Sequence, residues 1–128
     1  MNREIAREYR FVIPGRAVSF RSPVAMDYRK RVRRCARPLF RKPLDLALEI
    51  RLDYFHCHAR RVDMDNVSKC VLDGLNGLAY RDDRLATVQT SKSHDLRKRI
   101  DLHDGPIDLV KPLRRHKEYL FVRIRLAG

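Results

Sequence analysis

Apolar side chains recur along this chain with two different periods, and the shorter period predicts four strands. Residues 9–13 (YRFVI) are rich in aromatic and β-branched side chains and end at Pro14-Gly15, which predicts a strand followed by a turn. Strict alternation of apolar and polar residues over 44–54 predicts a half-buried strand. The segment 85–90 (LATVQT) and the alternating segment 119–126 predict the third and fourth strands.

A spacing of three to four residues between apolar positions predicts two helices between these strands. The first follows Ser22-Pro23, where Ser suits the N-cap and Pro the first helical position, and it extends to Leu39. The second covers 64–78, with Asp65 suited to its N-cap and Asn76-Gly77 to its C-terminal stop. Each helix has one apolar face and one polar face.

The length of 128 residues fits one domain with a single hydrophobic core, which we assign to residues 1–128. The order β-α-β-α-β-β predicts an α+β fold in which two helices cover a mostly antiparallel sheet. Between the last two strands, the segment Asp95 to Lys117 is too long for a tight hairpin. We interpret this segment as a candidate functional loop.

The charge of the chain points to a polyanionic partner. Lys and Arg number 29 and Asp and Glu 16, which gives a formal net charge of +13. Disorder is disfavoured because 44% of the residues are hydrophobic and recur in ordered patterns. On the first helix Arg29, Arg33 and Arg37 follow at i, i+4 and i+8, within a basic run to Lys42 that contains no acidic residue. This density favours a phosphate-binding surface over an ordinary solvated face.

Cysteine usage and the absence of apolar runs favour the cytoplasm. The spacings of Cys35, Cys57 and Cys70 match no disulfide framework and no zinc motif. The amino-terminal residues alternate in charge where a signal peptide needs an apolar run, and no stretch of 18 apolar residues exists, so no membrane partner is expected. There is no phosphate-cradling Gly-x-x-x-x-Gly-Lys loop, so no nucleotide cofactor is expected. Alternation separates Cys57 from His56 and His58, which disfavours a zinc site.

One window of this basic chain is acidic. Between Asp63 and Asp83 there are five aspartates against only Lys69 and one arginine. Carboxylates repel phosphate unless a divalent cation lies between them, and Mg²⁺ is the natural candidate. In an extended Asp63-Met64-Asp65 entry to the helix, the two carboxylates point to the same side. The alternative is that Asp65 is only a helix cap and Asp82-Asp83 only a turn.

Three segments of this window are similar to a known family. Residues 60–69 (RRVDMDNVSK), 72–77 (LDGLNG) and 80–83 (YRDD) resemble the D-x-D-N-x-x-K, D-x-L-N-G and D-D motifs of RusA-type Holliday junction resolvases. Residues 14–21 resemble the opening strand and arginine-bearing loop of that family. The long segment 95–117 departs from the family pattern and leaves the junction preference open.

The resemblance implies a RusA-like fold and a Mg²⁺-dependent endodeoxyribonuclease. It implies that Asp63, Asp65 and Asp83 bind the metal and that Lys69 is catalytic. It further implies a homodimer that cuts four-way DNA junctions by paired symmetric nicks in recombination and repair. Two residues are interpreted as supports of these carboxylates, Asn66 and Asp82. The arginines expected to contact DNA phosphates are Arg21, Arg29, Arg33, Arg37, Arg60 and Arg61.

Two other functions are consistent with the same sequence. A non-catalytic DNA- or RNA-binding protein would explain the charge, but not the spacing of the D-x-D-N-x-x-K segment. A nuclease acting on flaps or forks would share the metal chemistry and differ in dimer geometry and loops.

Overall fold

The computed structural model describes residues 8–98 and 107–127. The four strands are β1 (Glu8–Pro14), β2 (Leu48–His56), β3 (Ala86–Asp95) and β4 (Tyr119–Leu126). The two α-helices are α1 (Ala25–Ala36) and α2 (Met64–Leu75). Short 3-10 helices cover Arg37–Leu39, Asp83–Leu85, Ile107–Leu109 and Lys111–Arg114. The predicted α+β class, with two helices and four strands, is confirmed.

The sheet is mixed, so the prediction of a mostly antiparallel sheet is partly wrong. In the spatial order β1-β4-β2-β3, β4 is antiparallel to both of its neighbours, whereas β2 and β3 are parallel. The parallel pair arises because α2 returns the chain to the end of the sheet where β2 begins. The order of the strands in the sheet also differs from their order along the chain, because β4, the last strand, lies between β1 and β2.

Both helices pack on one face of the sheet and form the main core with it. Ile50 and Leu52 of β2 and Val122 of β4 belong to one buried cluster. Val32 of α1 and Val71 of α2 complete that cluster from the helical side. The helices approach closely at Gly74, where an added Cβ would lie 3.2 Å from the backbone oxygen of Arg29. Neither α1 nor α2, nor any other helix of the described residues, combines the length and the apolar composition of a membrane-spanning segment.

The opposite face of the sheet has a smaller apolar cluster. Phe55, Tyr119 and Phe121 pack there against Leu109, and the Tyr119 hydroxyl donates to the Leu109 carbonyl oxygen at 2.6 Å. Leu109 belongs to the segment interpreted from sequence as a functional loop. The part of that segment at 107–117 therefore has a packing role, while residues 99–106 lie outside the described part of the chain.

Several element boundaries differ from the predicted ones for local reasons. The strand predicted from residue 44 begins at Leu48, because Leu44 instead forms an isolated bridge with Tyr80. Helix α1 begins after Val24 without a side-chain cap, although the Ser22 hydroxyl accepts from the Val24 amide at 3.2 Å. Helix α2 ends at the predicted stop, with Asn76 as its C-cap.

Candidate active site

The first aspartate of the D-x-D segment is the N-cap of α2. Asp63 has an extended backbone, and its Oδ1 accepts from the Asn66 amide at 3.2 Å. Its Oδ2 accepts from the Asn66 side-chain amide at 2.8 Å. The cap is therefore Asp63 and not Asp65, which corrects the prediction. Asn66 holds the Asp63 carboxylate in one orientation with two hydrogen bonds, as a capping interaction does.

Asp65 lies in the first turn of α2 and is exposed beside Asp63. The two carboxylates line one open cavity of about 530 Å³. The other residues that line it are Arg61, Val62, Met64 and Ser91. The positive end of the helix dipole stabilises both carboxylates at this position. The structure thus brings together the two carboxylates of the D-x-D segment at a concave surface.

Lys69 lies one helical turn beyond Asp65, on the same face of α2. Its ammonium Nζ is 5.7 Å from the centroid of the Phe20 ring, which belongs to the loop between β1 and α1. The amide of Phe20 donates to the Asn66 carbonyl oxygen at 3.0 Å, so this loop is anchored on the first turns of α2. A positive charge is therefore held beside the anchored loop, on the face of α2 that also carries Asp65.

The remaining carboxylates of the acidic window form a second group. Asp73 is two turns from Asp65 on α2, which is about 12 Å along the helix axis. Partial burial, hydrogen bonding with Asp82, and the negative charges of Asp82 and Asp73 raise the pKa of Asp83. Asp82 accepts from the amide of Arg84 at 2.9 Å and pairs with its guanidinium at 3.2 Å, which lowers the pKa of Asp82.

The two groups of carboxylates do not meet at one point. In the parts of the chain that the structure describes, no three His, Cys, Asp or Glu side chains converge as a metal site. Asp63 and Asp65 lie at the N-terminal end of α2, whereas the charges acting on Asp83 are those of Asp73, Asp82 and Arg84. Exposed oxygen donors are nevertheless the ligands that Mg²⁺ prefers. A cation bound beside Asp83 would also lower its pKa, which burial and the charges of Asp82 and Asp73 raise.

The predicted DNA-contacting arginines have different environments. Arg60 and Arg61 are exposed in the loop that precedes Asp63, and Arg21 and Arg37 are exposed elsewhere. Arg29 is half-buried.

Arg33 is engaged within the protein. Its Nη1 donates to the carbonyl oxygens of Gly74 at 2.9 Å and Asn76 at 3.0 Å, at the C-terminal end of α2. This role could not be predicted from residue order, because the two partners are 41 and 43 residues away along the chain. The phosphate contact predicted for Arg33 stays a prediction.

A hydrogen-bonded group of Tyr54, Glu118 and His58 near Asp63 was not predicted from the sequence either. The Tyr54 hydroxyl donates to the Glu118 carboxylate, and Nε2 of His58 lies 3.4 Å from the Tyr54 oxygen. Tyr54, His58 and Asp63 line a cavity of about 240 Å³ together with Arg16. Burial and the Glu118 contact raise the pKa of Tyr54, so its hydroxyl stays protonated. The alternation of β2 marks Tyr54 as inward-facing but gives no sign of its polar partners.

Comparison with known proteins agrees with the resemblance in the motifs. A sequence model of the family described as Endodeoxyribonuclease RusA matches residues 2–103. A search of curated proteins found no match. The matched region is about four-fifths of the chain and contains Asp63, Asp65, Lys69 and Asp83. The chain therefore belongs to the RusA family of endodeoxyribonucleases.

Proposed function

We propose that this protein is a Mg²⁺-dependent endonuclease that resolves four-way DNA junctions by paired symmetric nicks. The observation that carries the proposal is the cavity lined by Asp63 and Asp65 at the start of α2, with Lys69 one helical turn beyond Asp65 on the same helix. It lies in a chain of net charge +13, which favours contact with nucleic acid. Membership of the RusA family supports DNA as the substrate and hydrolysis of its backbone as the reaction.

We propose that Asp63 and Asp65, which line one cavity, bind the metal through carboxylate oxygens that suit Mg²⁺. The family resemblance adds Asp83, which in this structure groups with Asp73 and Asp82 and would have to approach that cavity to share the ion. When bound, Mg²⁺ supplies Lewis-acid polarisation of the phosphate and a water of lowered pKa. Asn66 keeps the Asp63 carboxylate in one orientation through its two hydrogen bonds. Asp82 is held next to Asp83 by its hydrogen bonds with the Arg84 amide and guanidinium, and acts as its support.

Lys69 has the role of stabilising negative charge that develops on the phosphate during cleavage. Its ammonium lies at the polar face of α2, and the Phe20 ring restricts its position. The exposed arginines contact the DNA backbone, which provides affinity with little sequence information. Arg60 and Arg61 are the nearest of these to Asp63 along the chain.

Two nicks placed symmetrically require two identical sites, so we propose a homodimer. One chain carries one D-x-D segment and therefore one site. A two-fold axis between two chains matches the symmetry of a four-way junction. The role in recombination and repair and the cytoplasmic location are parts of the same proposal.

The test compares cleavage of a labelled mobile four-way junction with cleavage of linear duplex, in Mg²⁺ or in EDTA. The key variant is Asp63→Asn, since Asn is as good an N-cap as Asp and so removes the charge while keeping the helix start. Asp27→Asn is the matched control, because Asp27 is exposed in the first turn of α1. We expect paired nicks in Mg²⁺ only, reduced about 100-fold or more in Asp63→Asn and unchanged in Asp27→Asn.

Other results would contradict the proposal in distinct ways. Equal cleavage of duplex and junction would remove the junction specificity. Preferred cleavage of flaps or forks would change the substrate. Junction binding without cleavage in any divalent metal would identify a non-catalytic DNA-binding protein, and the aspartates would then be structural.

A further inference from the structure

A basic cavity of about 620 Å³ lies where the parallel strands β2 and β3 end. Four cationic side chains line it: Arg60, Arg61, Arg97 and Lys98. The first two come from the loop after β2 and the last two from the turn after β3. The carboxyl ends of adjacent parallel strands are a common position for ligand sites, because the connecting loops diverge there.

The charges in this cavity are not balanced. Among the described residues one carboxylate lines it, Asp95, and Arg97 engages it through Nε and Nη2 at 2.9 and 2.6 Å. This contact holds the pKa of Asp95 far below its ordinary value, so the carboxylate stays ionised and paired. Four cations against one carboxylate leave a net charge of 4 − 1 = +3. Arg60, Arg61 and Lys98 carry that excess into a concave surface, where an anion would be stabilised.

Imidazoles complete the wall of the cavity. His94 is one of them, and its Nε2 is bonded to Asp53 at 2.7 Å. The rings of His56 and His58 stack with centroids 4.2 Å apart, and Nδ1 of His56 lies 3.1 Å from the His58 carbonyl oxygen. Burial and the neighbouring His58 lower the pKa of His56, so its ring is neutral at pH 7. His56 can take up a proton when an anion binds nearby, so its charge can respond to the ligand in addition to the permanent charges of the cavity.

The cavity adjoins the aspartates. Arg61 and Val62 line both the basic cavity and the cavity that contains Asp63 and Asp65. A polyanionic strand that crosses this loop would therefore pass from one cavity to the other.

We propose that the basic cavity is a phosphate-binding site for the DNA strand, holding a phosphate group adjacent to the one that lies at the aspartates. This inference rests on the proposed nuclease function for the identity of the strand, but not for the binding of phosphate. It assigns an anion contact to Lys98, which the motif does not include, and leaves Arg97 paired with Asp95. It also gives His56 and His58 a place in substrate binding.

The first arm of the test uses inorganic phosphate and does not depend on DNA. Imidazole C–H signals are followed by NMR during a phosphate titration, with sodium chloride at matched ionic strength as the reference. We expect saturable shifts of the His56 and His58 signals, and a raised pKa for His56. We expect no saturable shift for His116, which is not among the residues that line the cavity. Equal, unsaturable shifts of all the histidine signals would contradict phosphate binding in this cavity.

Two double variants distinguish the effect of the cavity cations on phosphate binding from the effect of the overall charge. The double variant Arg60→Gln/Lys98→Gln removes two cavity cations and leaves the Asp95–Arg97 pair intact, whereas Arg114→Gln/Arg115→Gln removes two exposed cations outside the cavity. We expect the first to weaken phosphate binding about tenfold or more and the second to leave it unchanged. Equal effects of the two variants would overturn the proposal.

The second arm asks whether the phosphate belongs to DNA. Binding of a four-way junction is measured against salt concentration in the uncut Asp63→Asn background. Losing the contact with this one phosphate should reduce the slope of log K against log[salt] by about 1 in the cavity variant. An unchanged slope together with normal phosphate binding would contradict the DNA assignment and identify a site for free phosphate. If the protein binds no DNA at all, the nuclease proposal fails, but the phosphate titration still shows whether the cavity binds phosphate.

Discussion

Asp53 is a residue whose environment departs sharply from its sequence pattern. It alternates with apolar residues on β2, which predicts exposure, yet only 4% of it is accessible. Oδ2 accepts from Arg123 at 2.9 Å and Oδ1 lies 2.7 Å from Nε2 of His94, and both partners are themselves largely buried. Burial by itself raises the pKa of Asp53, but these hydrogen bonds and the Arg123 charge outweigh it, so the pKa is lowered. Asp53 thus remains ionised inside the sheet.

This buried group leads to a prediction about stability. Arg123→Met leaves the Asp53 carboxylate buried with His94 as its remaining partner, which should cost about 3 kcal/mol of unfolding free energy at pH 7. Arg125→Met is the matched control on the same strand, since Arg125 pairs with Glu49 and its side chain is 54% exposed. It should cost less than about 1 kcal/mol. Urea denaturation of the two variants measures both, and similar costs would contradict the assigned role of Arg123.

The buried Asp53 also makes the stability of the fold depend on pH. Because the folded pKa of Asp53 lies below its unfolded value of about 3.9, its contribution is present above that pH and is lost as pH falls through the folded pKa. The cost of Arg123→Met should therefore shrink between pH 7 and pH 3, as protonation neutralises the unpaired acid. A cost that is constant over this range would show that Arg123 acts through packing alone.

At the scale of elements, the C-terminal end of α2 depends on α1. The Arg33 guanidinium binds the carbonyl oxygens of Gly74 and Asn76, which the end of a helix leaves without intrahelical partners. The same region is where Gly74 allows the two helices to approach closely. Helix α2 begins at the capped Asp63, so this contact contributes to the rigidity of the element that carries the candidate site.

We predict that Arg33→Ala lowers the unfolding free energy by about 1–3 kcal/mol, because it leaves charge-assisted hydrogen bonds unmade. Arg34→Ala should change it by less than about 0.5 kcal/mol, since Arg34 is the exposed neighbour in the same turn of α1. Both variants remove one positive charge, so a general charge effect cannot produce the difference. Equal stabilities in urea would mean that the Arg33 contact contributes nothing to the fold.

At the scale of the whole molecule, the proposed function requires two chains. One chain supplies one candidate site, and its charge of +13 opposes self-association unless the interface separates or compensates the cations. We therefore predict a dimer in solution, with twice the chain mass of 15.2 kDa, that is more stable at moderate salt than at low salt. Sedimentation equilibrium over a salt series measures this. A monomer at every salt concentration, together with junction cleavage, would contradict a preformed dimer.

The element types, the motif and the charge could all be predicted from residue order, because each depends on neighbours along the chain. Periods of two and of three to four predicted the strands and helices, and the D-x-D spacing placed Asp63 and Asp65 at the start of α2. Membership of the RusA family also follows from residue order alone.

Which distant residues meet could be learned only from the folded chain. The parallel pairing of β2 with β3, the burial of Asp53 and the Arg33 contact each join residues about 40 or more positions apart. The fold also groups Asp83 with Asp73 and Asp82 and assembles the basic cavity from two loops. Local periodicity reports which face of an element is apolar, but it carries no information about which element lies against that face. That choice follows from packing the whole chain into one core, where burial and polar satisfaction are decided together.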